Sequence, residues 1–174
     1  MEQSSHSSDS ALVIRNEIRP GDIGEIISLH GLQFNKEYGF GIGFEAMIAQ
    51  SVSDFYLTMQ PGRDQLWIIE SQHHVVGVTG VVGKSDAKAQ IRWVLVHPGF
   101  RGCGLGRKLL ENALRFCENA GFETVFLHTF KMFKEAANLY KSLGFILTEE
   151  KEVCYWGQPL SEQCYELKLR LAGT

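Results

Sequence analysis

Apolar residues recur along this chain with two different periods, and the change from one period to the other predicts the order of its elements. Intervals of three and four residues, typical of one buried helix face, predict four helices at 23–34, 44–59, 105–120 and 133–143. Runs of β-branched and aromatic residues predict seven strands at 12–14, 66–69, 75–82, 91–96, 125–127, 145–147 and 164–169. The order β-α-α-β-β-β-α-β-α-β-β indicates a single α/β domain, with a mixed and mostly antiparallel central sheet flanked by helices.

Turn residues mark where several of these elements begin and end. Asp22 follows Pro20-Gly21 and is predicted to be the N-cap of the first helix, while Gly121 and Gly144 are predicted to end the third and fourth helices. Residues 38–43, between the first two helices, alternate glycine with large apolar side chains. This composition predicts a mobile, adaptable loop, because glycine leaves the backbone free.

Composition and charge narrow the class of protein. The chain of 174 residues is 44% hydrophobic and has a formal net charge of only -3, so no overall basic field attracts nucleic acid or an anionic membrane. The serine-rich residues 1–10 predict a disordered leader, and 11–174 are predicted to form one domain. The sequence pattern of a signal peptide or a long apolar run is missing, which predicts a cytoplasmic protein that does not enter a membrane. The four cysteines lack CxxC or zinc-like spacing and predict reduced thiols without a metal.

A glycine-rich turn between the strand at 91–96 and the helix at 105–120 is the most informative motif. It reads Arg-Gly-Cys-Gly-Leu-Gly over 101–106. The backbone N–H groups of such a turn, together with the helix dipole, bind anions and above all phosphate. The spacing fits neither the Walker A loop nor the GxGxxG dinucleotide loop. Arg107 and Lys108 in the first helical turn oppose the dipole, and a bound phosphate would remove that conflict.

The same turn lies within a family signature. Residues 93–106 resemble the coenzyme A signature of the GNAT acetyltransferases, which reads apolar strand, Pro, then Arg/Gln-x-x-Gly-x-Gly/Ala. Residues 136–145 resemble the A-x-x-LY-x-x-x-GF element of the same family. The resemblance implies acetyl-CoA as the cosubstrate, with its pyrophosphate on the turn amides and its pantetheine arm beside the preceding strand. The residues that it assigns to coenzyme A are Leu95, Val96, Arg101, Gly102, Cys103, Gly104, Leu105, Gly106, Arg107 and Asn138.

The resemblance also implies the chemistry. A neutral amine attacks the thioester carbonyl, and the coenzyme A thiolate leaves. Tyr140 is implied to be the acid that protonates the thiolate, although its ring would also fit the core-facing stripe of the last helix. The sequence does not identify the general base that deprotonates the amine, because the strand before the turn carries Gln90, Arg92 and Trp93 where the family often has a carboxylate. The open alternatives are a water-relayed base, a substrate that arrives partly neutral, or one of the side chains Glu37, Glu70, His97 and His128.

The acceptor is predicted to be the amine of a small molecule. Glu37, Tyr38 and Phe40 are expected at the acceptor site, because the family uses its first helices there, and aromatic walls suit a small apolar or zwitterionic amine. The alternative is that these aromatic rings only pack the second helix onto the sheet. The motif over 37–46 is similar to the GNAT half of bacterial proteins that fuse this domain to a MarR-type regulator. Phe133 stands where many relatives have an asparagine that helps to hold coenzyme A or substrate.

Two hypotheses of function remain on the sequence alone. The leading one is an acetyl-CoA-dependent N-acetyltransferase that moves an acetyl group to a primary amine by direct attack on the thioester. The alternative is a non-catalytic acetyl-CoA-binding or sensing domain, which the missing strand carboxylate and Phe133 favour. The segments 153–156 and 164–169 could pair with a second copy across a homodimer.

Overall fold

The computed structural model describes residues 12–169, and its elements follow the order that the hydrophobic pattern predicts. The leader predicted at 1–10 lies outside the described residues. The strands are β1 Val13–Arg15, β2 Gln65–Ser71, β3 His74–Gly83, β4 Lys88–Val96, β5 Thr124–Phe130, β6 Ile146–Tyr155 and β7 Gln158–Lys168. The helices are α1 Asp22–Tyr38, α2 Ile42–Thr58, α3 Leu105–Asn119 and α4 Lys134–Ser142, with a short 3₁₀ turn at Pro98–Phe100.

The strands form one sheet in the order β1-β2-β3-β4-β5-β7-β6. β4 and β5 run parallel and the other neighbouring pairs are antiparallel, so the prediction of a mixed, mostly antiparallel sheet is confirmed. β7 lies between β5 and β6. The prediction that 164–169 pairs across a dimer is therefore wrong for 164–166, because these residues already have a strand partner on both sides within the chain, and Leu167 and Lys168 pair with β5 on one side. The two edge strands are β1 and β6, and β6 is the longer and more exposed of the two.

Each face of the sheet carries its own apolar core. On one face, buried side chains of α3 and α4 pack against β4 and β5: Leu109, Leu110, Ala113, Ala137, Ile91 and Val125. On the other face, buried side chains of α1 and α2 pack against β2, β3 and β4: Ile26, Ile48, Val52, Ile68, Val78 and Leu95. Within 12–169, no helix combines the length and the apolar content that crossing a membrane requires.

β4 carries a bulge at Trp93. The backbone φ of Trp93 is 54°, in the left-handed region that bulky residues rarely occupy, and the register with β3 shifts beside it. Residues four apart on a regular strand face the same side, yet Ile91 and Leu95 belong to opposite cores. Packing holds this conformation: the Trp93 ring lies 2.8 Å from where a Cβ on Gly80 would stand, and its indole N–H donates to Ser51 Oγ over 3.1 Å.

The first helix begins and ends at other residues than the sequence predicts. Gly21, with a φ of 102°, is the N-cap, and Asp22 is the first helical residue, so the prediction of Asp22 as the cap is wrong. The reason is that the Asp22 carboxylate accepts two hydrogen bonds from the Arg15 guanidinium, at 2.6 and 2.8 Å, and so fixes β1 to the helix start. The helix then continues to Tyr38, because Gly39 supplies a left-handed C-cap with a φ of 71°.

The segment between α1 and α2 is short and anchored. Three residues, 39–41, separate the helices, and Phe40 at their centre is only 1% exposed. The Asn35 amide donates to the Phe40 carbonyl over 2.9 Å, and the Gln158 amide donates to the Gly39 carbonyl over 3.1 Å. Phe40 packs among aromatic rings from α1, α2 and the turn between β6 and β7. The prediction of a mobile, adaptable loop is therefore wrong. Burial of the Phe40 ring holds the segment in place although Gly39 and Gly41 flank it.

Candidate active site

A cleft opens in the sheet where β4 and β5 separate. The two strands pair over Lys88–Gln90 and Thr124–Phe126 and then diverge. Beyond Gln90, the side of β4 that faces β5 has no partner strand in the described part of the chain. The cleft has a volume of about 1100 Å³, and Leu95 and Val96 are among the residues that line it. An extended ligand can pair with the N–H and C=O groups that β4 presents there.

The glycine-rich turn forms one end of the cleft. Gly102 and Gly104 have φ values of 83° and 80°, which L side chains rarely adopt. Gly104 is also the N-cap of α3, and the first intrahelical hydrogen bond runs from the Lys108 N–H to the Gly104 carbonyl. The N–H groups of 105–107 therefore have no acceptor within the helix, and they lie at its positive end, where a phosphate is favoured. The turn residues that line the cleft are Gly102, Gly104, Leu105, Gly106 and Arg107.

Arg101 connects three parts of the site. Its Nε donates to the Val96 carbonyl over 2.9 Å, and its Nη1 and Nη2 donate to the two carboxylate oxygens of Glu37 over 2.7 and 3.3 Å. Three of its five N–H donors are thus engaged by the protein. We call this set of contacts between Arg101, Glu37 and Val96 the Arg101 bridge. It holds the glycine-rich turn against the end of β4 and the last turn of α1.

Tyr140 lies on α4, and its side chain lines the cleft although the residue is only 5% exposed. Its ring packs against Phe145 and Tyr165, with centroids 6.2 and 6.0 Å apart. Burial raises the pKa of the phenol well above its usual value, so the hydroxyl stays protonated at neutral pH. The hydroxyl makes no hydrogen bond to another residue of 12–169 and remains available as a donor. The two readings of Tyr140, core residue and acid, are therefore compatible.

Aromatic side chains form the other end of the cleft. The Tyr38 and Phe133 rings are in contact, with centroids 4.5 Å apart. Phe40 lies behind this layer and does not line the cleft, unlike its predicted partners Glu37 and Tyr38. The aromatic lining consists of Phe34, Tyr38, Phe44, Trp93, Phe130, Phe133, Tyr155 and Trp156.

Two of the four predicted base candidates lie outside the cleft lining. Glu70 on β2 accepts a hydrogen bond from Arg15 over 2.8 Å, and this contact lowers the pKa of its carboxyl group. His97 is exposed, and its Nδ1 accepts a hydrogen bond from the Gly99 N–H over 3.1 Å. Neither side chain is placed to take a proton from an amine in the cleft.

His128 and Glu162 face each other inside the cleft. His128 Nδ1 is 3.9 Å from Glu162 Oε2, and both side chains line the cavity. The Glu162 carboxylate is also 3.1 Å from Lys151 Nζ, and its side chain is 13% exposed. Sequence analysis missed Glu162 because β7 begins at Gln158, six residues before the predicted start of that strand.

His30 is a further residue of the cleft that no sequence motif pointed to. His30 is 2% exposed and lines the cleft from α1. Its Nδ1 bonds to the Ile26 carbonyl over 2.8 Å, so the proton is assigned to Nδ1 and the Nε2 lone pair remains an acceptor. Burial lowers the pKa of the imidazole to about 4, which keeps it neutral at pH 7.

Comparison with known proteins identifies the family to which this chain belongs. Residues 26–145 match the model of the acetyltransferase (GNAT) family, which is more than half of the chain. The chain belongs to the GNAT acetyltransferase family. It is 30% identical over 118 residues to the uncharacterised N-acetyltransferase YjgM of Escherichia coli, covering 65% of this chain and 70% of that protein. It is 29% identical over 97 residues to human N-acetyltransferase 8, covering 53% of this chain and 43% of the human protein.

Solved structures share the GNAT fold. An acetyltransferase from Streptococcus agalactiae superposes with a TM-score of 0.76 at 23% identity, covering 91% of this chain and 98% of that one. The acetyltransferase yncA from Salmonella typhimurium, solved with acetyl-CoA, superposes with a TM-score of 0.75 at 19% identity, covering 94% and 97%. At these identities the likeness shows the fold alone. This GNAT protein is an N-acetyltransferase, as shown by its family and by its similarity to other N-acetyltransferases.

Two of the residues that the GNAT signature assigned to coenzyme A lie away from the cleft lining. Cys103 is exposed, and its thiol donates to the Phe100 carbonyl over 3.0 Å. Asn138 is exposed on α4. The other assigned residues, including Arg101, line the cleft. Most of the residues in this assignment thus lie together at the cleft, whereas the side chains of Cys103 and Asn138 do not.

Proposed function

We propose that this GNAT protein transfers the acetyl group of acetyl-CoA to the primary amine of a small molecule by direct attack on the thioester. The observation that carries this proposal is one continuous cleft, which joins the N–H groups of the glycine-rich turn to an aromatic compartment containing His128 and Glu162. Two substrates can meet where β4 and β5 separate. A cytoplasmic setting, in which thiols stay reduced, fits the exposed cysteines Cys103 and Cys154.

The glycine-rich turn would hold the coenzyme end of acetyl-CoA. The N–H groups of 105–107 and the positive end of α3 favour the pyrophosphate. The pantetheine arm would then extend along the unpaired side of β4, past Val96 and Leu95, and exchange amide hydrogen bonds with the strand. This direction carries the thioester from the turn toward the aromatic compartment.

The amine must lose a proton in order to attack. A lysine-like amine with a pKa of about 10.4 costs roughly 4.6 kcal/mol to neutralise at pH 7, whereas an α-amine with a pKa near 8 costs only about 1.4 kcal/mol. His128 is the proposed proton acceptor, and Glu162 at 3.9 Å would stabilise the imidazolium that forms. The neutral His30 would accept a hydrogen bond from the amine at Nε2 without taking its proton, because its pKa is lowered to about 4.

Tyr140 would assist the leaving group. Collapse of the tetrahedral intermediate breaks the C–S bond, and the thiolate takes up a proton. The Tyr140 phenol stays protonated because burial raises its pKa, so it can donate a hydrogen bond that stabilises the negative charge on the departing sulfur. The proton that the thiolate finally takes up would come from solvent.

A matched pair of glycine variants tests the proposal. Gly104 and Gly62 have φ values of 80° and 78°, and a Cβ at either position would meet nothing within 4 Å. Gly104→Val and Gly62→Val therefore introduce similar backbone strain, but only Gly104 lies at the cleft. Calorimetric titration with acetyl-CoA should show at least a tenfold loss of affinity in Gly104→Val and little change in Gly62→Val. Equal affinity in the two variants would contradict the assigned phosphate site.

Turnover is measured separately, as loss of thioester absorbance with a panel of small primary amines. Acetylation of at least one amine, abolished in Gly104→Val, is the expected result. Tight acetyl-CoA binding with no turnover on any amine would instead favour the acetyl-CoA-sensing alternative. One structural feature would agree with that outcome: the Glu162 carboxylate is already paired with Lys151 at 3.1 Å, which weakens its support for a protonated His128.

A further inference from the structure

Arg92 on β4 presents a cation without a counter-ion to the aromatic end of the cleft. Its side chain lines the cavity, and its guanidinium carbon lies 4.8 Å from the centroid of the Trp93 ring. The side chain makes no ion pair and no hydrogen bond with any other residue between 12 and 169. Burial alone lowers the pKa of the guanidinium. A partly buried charge without a partner costs free energy, and stacking on an indole offsets only part of that cost.

The charged groups around Arg92 do not neutralise it. Lys84 at the end of β3 is a second cation, and its own pKa is lowered first by burial and then by Arg92. The Asp64 carboxylate accepts hydrogen bonds from two backbone N–H groups, each at 2.8 Å. The Glu162 carboxylate is held by Lys151 on the far side of the cleft. The local field at Arg92 is therefore positive and favours an incoming anion.

The anion that Arg92 would bind is not the coenzyme pyrophosphate. Arg92 precedes Val96 by four residues, which on a strand is about 13 Å from the end that carries the glycine-rich turn. The bulge at Trp93 also turns Arg92 and Trp93 toward the same side, where the Trp93 ring belongs to the core of α1 and α2. Arg92 thus belongs to the half of the cleft that the second substrate enters.

We infer that the acceptor carries a carboxylate beside its amine, and that Arg92 binds this carboxylate. The inference rests on the proposed function and names its substrate class: free amino acids. The planar guanidinium presents paired N–H donors that match the two oxygens of a carboxylate, and such pairs are strongest where water is excluded. With its carboxylate on β4, the acceptor can direct its ammonium group toward His128 and Glu162 on β5 and β7.

The test compares amino acids with the amines that lack only the carboxylate, such as leucine with 3-methylbutylamine and phenylalanine with phenethylamine. Arg92→Met removes the charge and keeps most of the length, Arg92→Lys keeps the charge, and Lys88→Met removes an exposed cation from the same strand as a control. We expect Arg92→Met to raise KM for the amino acids at least tenfold, with kcat nearly unchanged and the plain amines unaffected. Arg92→Lys should recover part of the loss, and Lys88→Met should behave as the wild type.

Two results would overturn the inference: equal use of amino acids and plain amines by the wild type, or equal loss on both in Arg92→Met. Acetyl-CoA affinity and urea unfolding, measured on each variant, separate a damaged fold from a lost contact. If Arg92→Met does not fold, Arg92→Lys decides instead, through the ratio of KM for each amino acid to KM for its plain amine. A ratio above that of the wild type supports the inference, and an unchanged ratio overturns it.

Failure of the proposed function gives a different pattern. If no amine is acetylated, calorimetric titration of the coenzyme A-saturated protein with the same pairs still measures the Arg92 contact. Binding of amino acids that is lost in Arg92→Met supports the carboxylate site even without turnover. No preference for amino acids over plain amines in that titration overturns it.

Discussion

The Arg101 bridge is expected to act on acetyl-CoA through the shape of the glycine-rich turn and not through a direct phosphate contact. Two substitutions separate these roles, because Glu37→Gln leaves the Arg101 charge in place whereas Arg101→Met removes it together with the bond to Val96. If the bridge positions the turn, both variants weaken acetyl-CoA binding, and Arg101→Met does so more strongly. If Arg101 contacts phosphate, freeing it in Glu37→Gln should strengthen binding.

The magnitudes follow from the exposure of the partners. The side chains of Arg101 and Glu37 are 35% and 25% exposed, so their ion pair is expected to contribute about 0.2–1 kcal/mol. The charged hydrogen bond from Arg101 to the Val96 carbonyl, at 2.9 Å, contributes about 1.5–3 kcal/mol. Glu37→Gln should therefore lower the free energy of unfolding by less than about 1 kcal/mol, and Arg101→Met by about 2–4 kcal/mol.

Urea unfolding measures these free energies, and calorimetric titration with acetyl-CoA measures binding. A loss of up to about fivefold in affinity is expected for Glu37→Gln, which corresponds to the upper limit of the ion pair. Glu118→Gln, an exposed carboxylate on α3, serves as the control for a change of net charge. Tighter acetyl-CoA binding by Glu37→Gln than by Glu118→Gln would refute the bridge.

Two other side chains of the cleft give measurable expectations. Tyr140→Phe should lower kcat by about 10²-fold without changing acetyl-CoA affinity, because it removes only the donor to the departing sulfur; full turnover across the pH range would exclude that role. His30 has its folded pKa lowered to about 4 from 6.5, so the unfolded chain binds more protons between these values. The resulting stability is present above pH 6.5 and is lost as the pH falls toward 4, by up to about 3 kcal/mol. Urea unfolding at several pH values should show this slope in the wild type and a shallower one in His30→Phe.

The order of elements was predictable for two reasons. Each helix buries one face, which leaves a period of three to four residues in the sequence. The central strands β2 and β3 are buried on both faces and leave continuous runs of β-branched and aromatic residues instead. Gly121 and Gly144 follow α3 and α4 with φ values of 80° and 92°, as their positions predicted. Helix ends were less predictable where a distant side chain intervenes. Asp22 lost its expected capping role because Arg15 binds its carboxylate.

The candidate site also has one part that depends on local sequence and another that depends on distant contacts. The glycine-rich turn is a local backbone structure, so its residues and spacing were sufficient to predict a tight turn at the start of α3. The second half of the cleft depends on which strands become neighbours in the sheet. Glu162 reaches His128 only because β7 inserts next to β5, and the Arg101 bridge joins residues 64 positions apart. Such contacts leave no period in the sequence.

The short parallel ladder between β4 and β5 has an energetic consequence for ligand binding. By diverging after Gln90, the two strands forgo hydrogen bonds that a continuous sheet would make, each contributing about 0.5–1.5 kcal/mol. A ligand with amide groups spaced like a peptide can complete this unfinished ladder and recover that free energy. Under the binding mode proposed above, this free energy would contribute to the affinity for acetyl-CoA, whose pantetheine arm would act as an eighth strand.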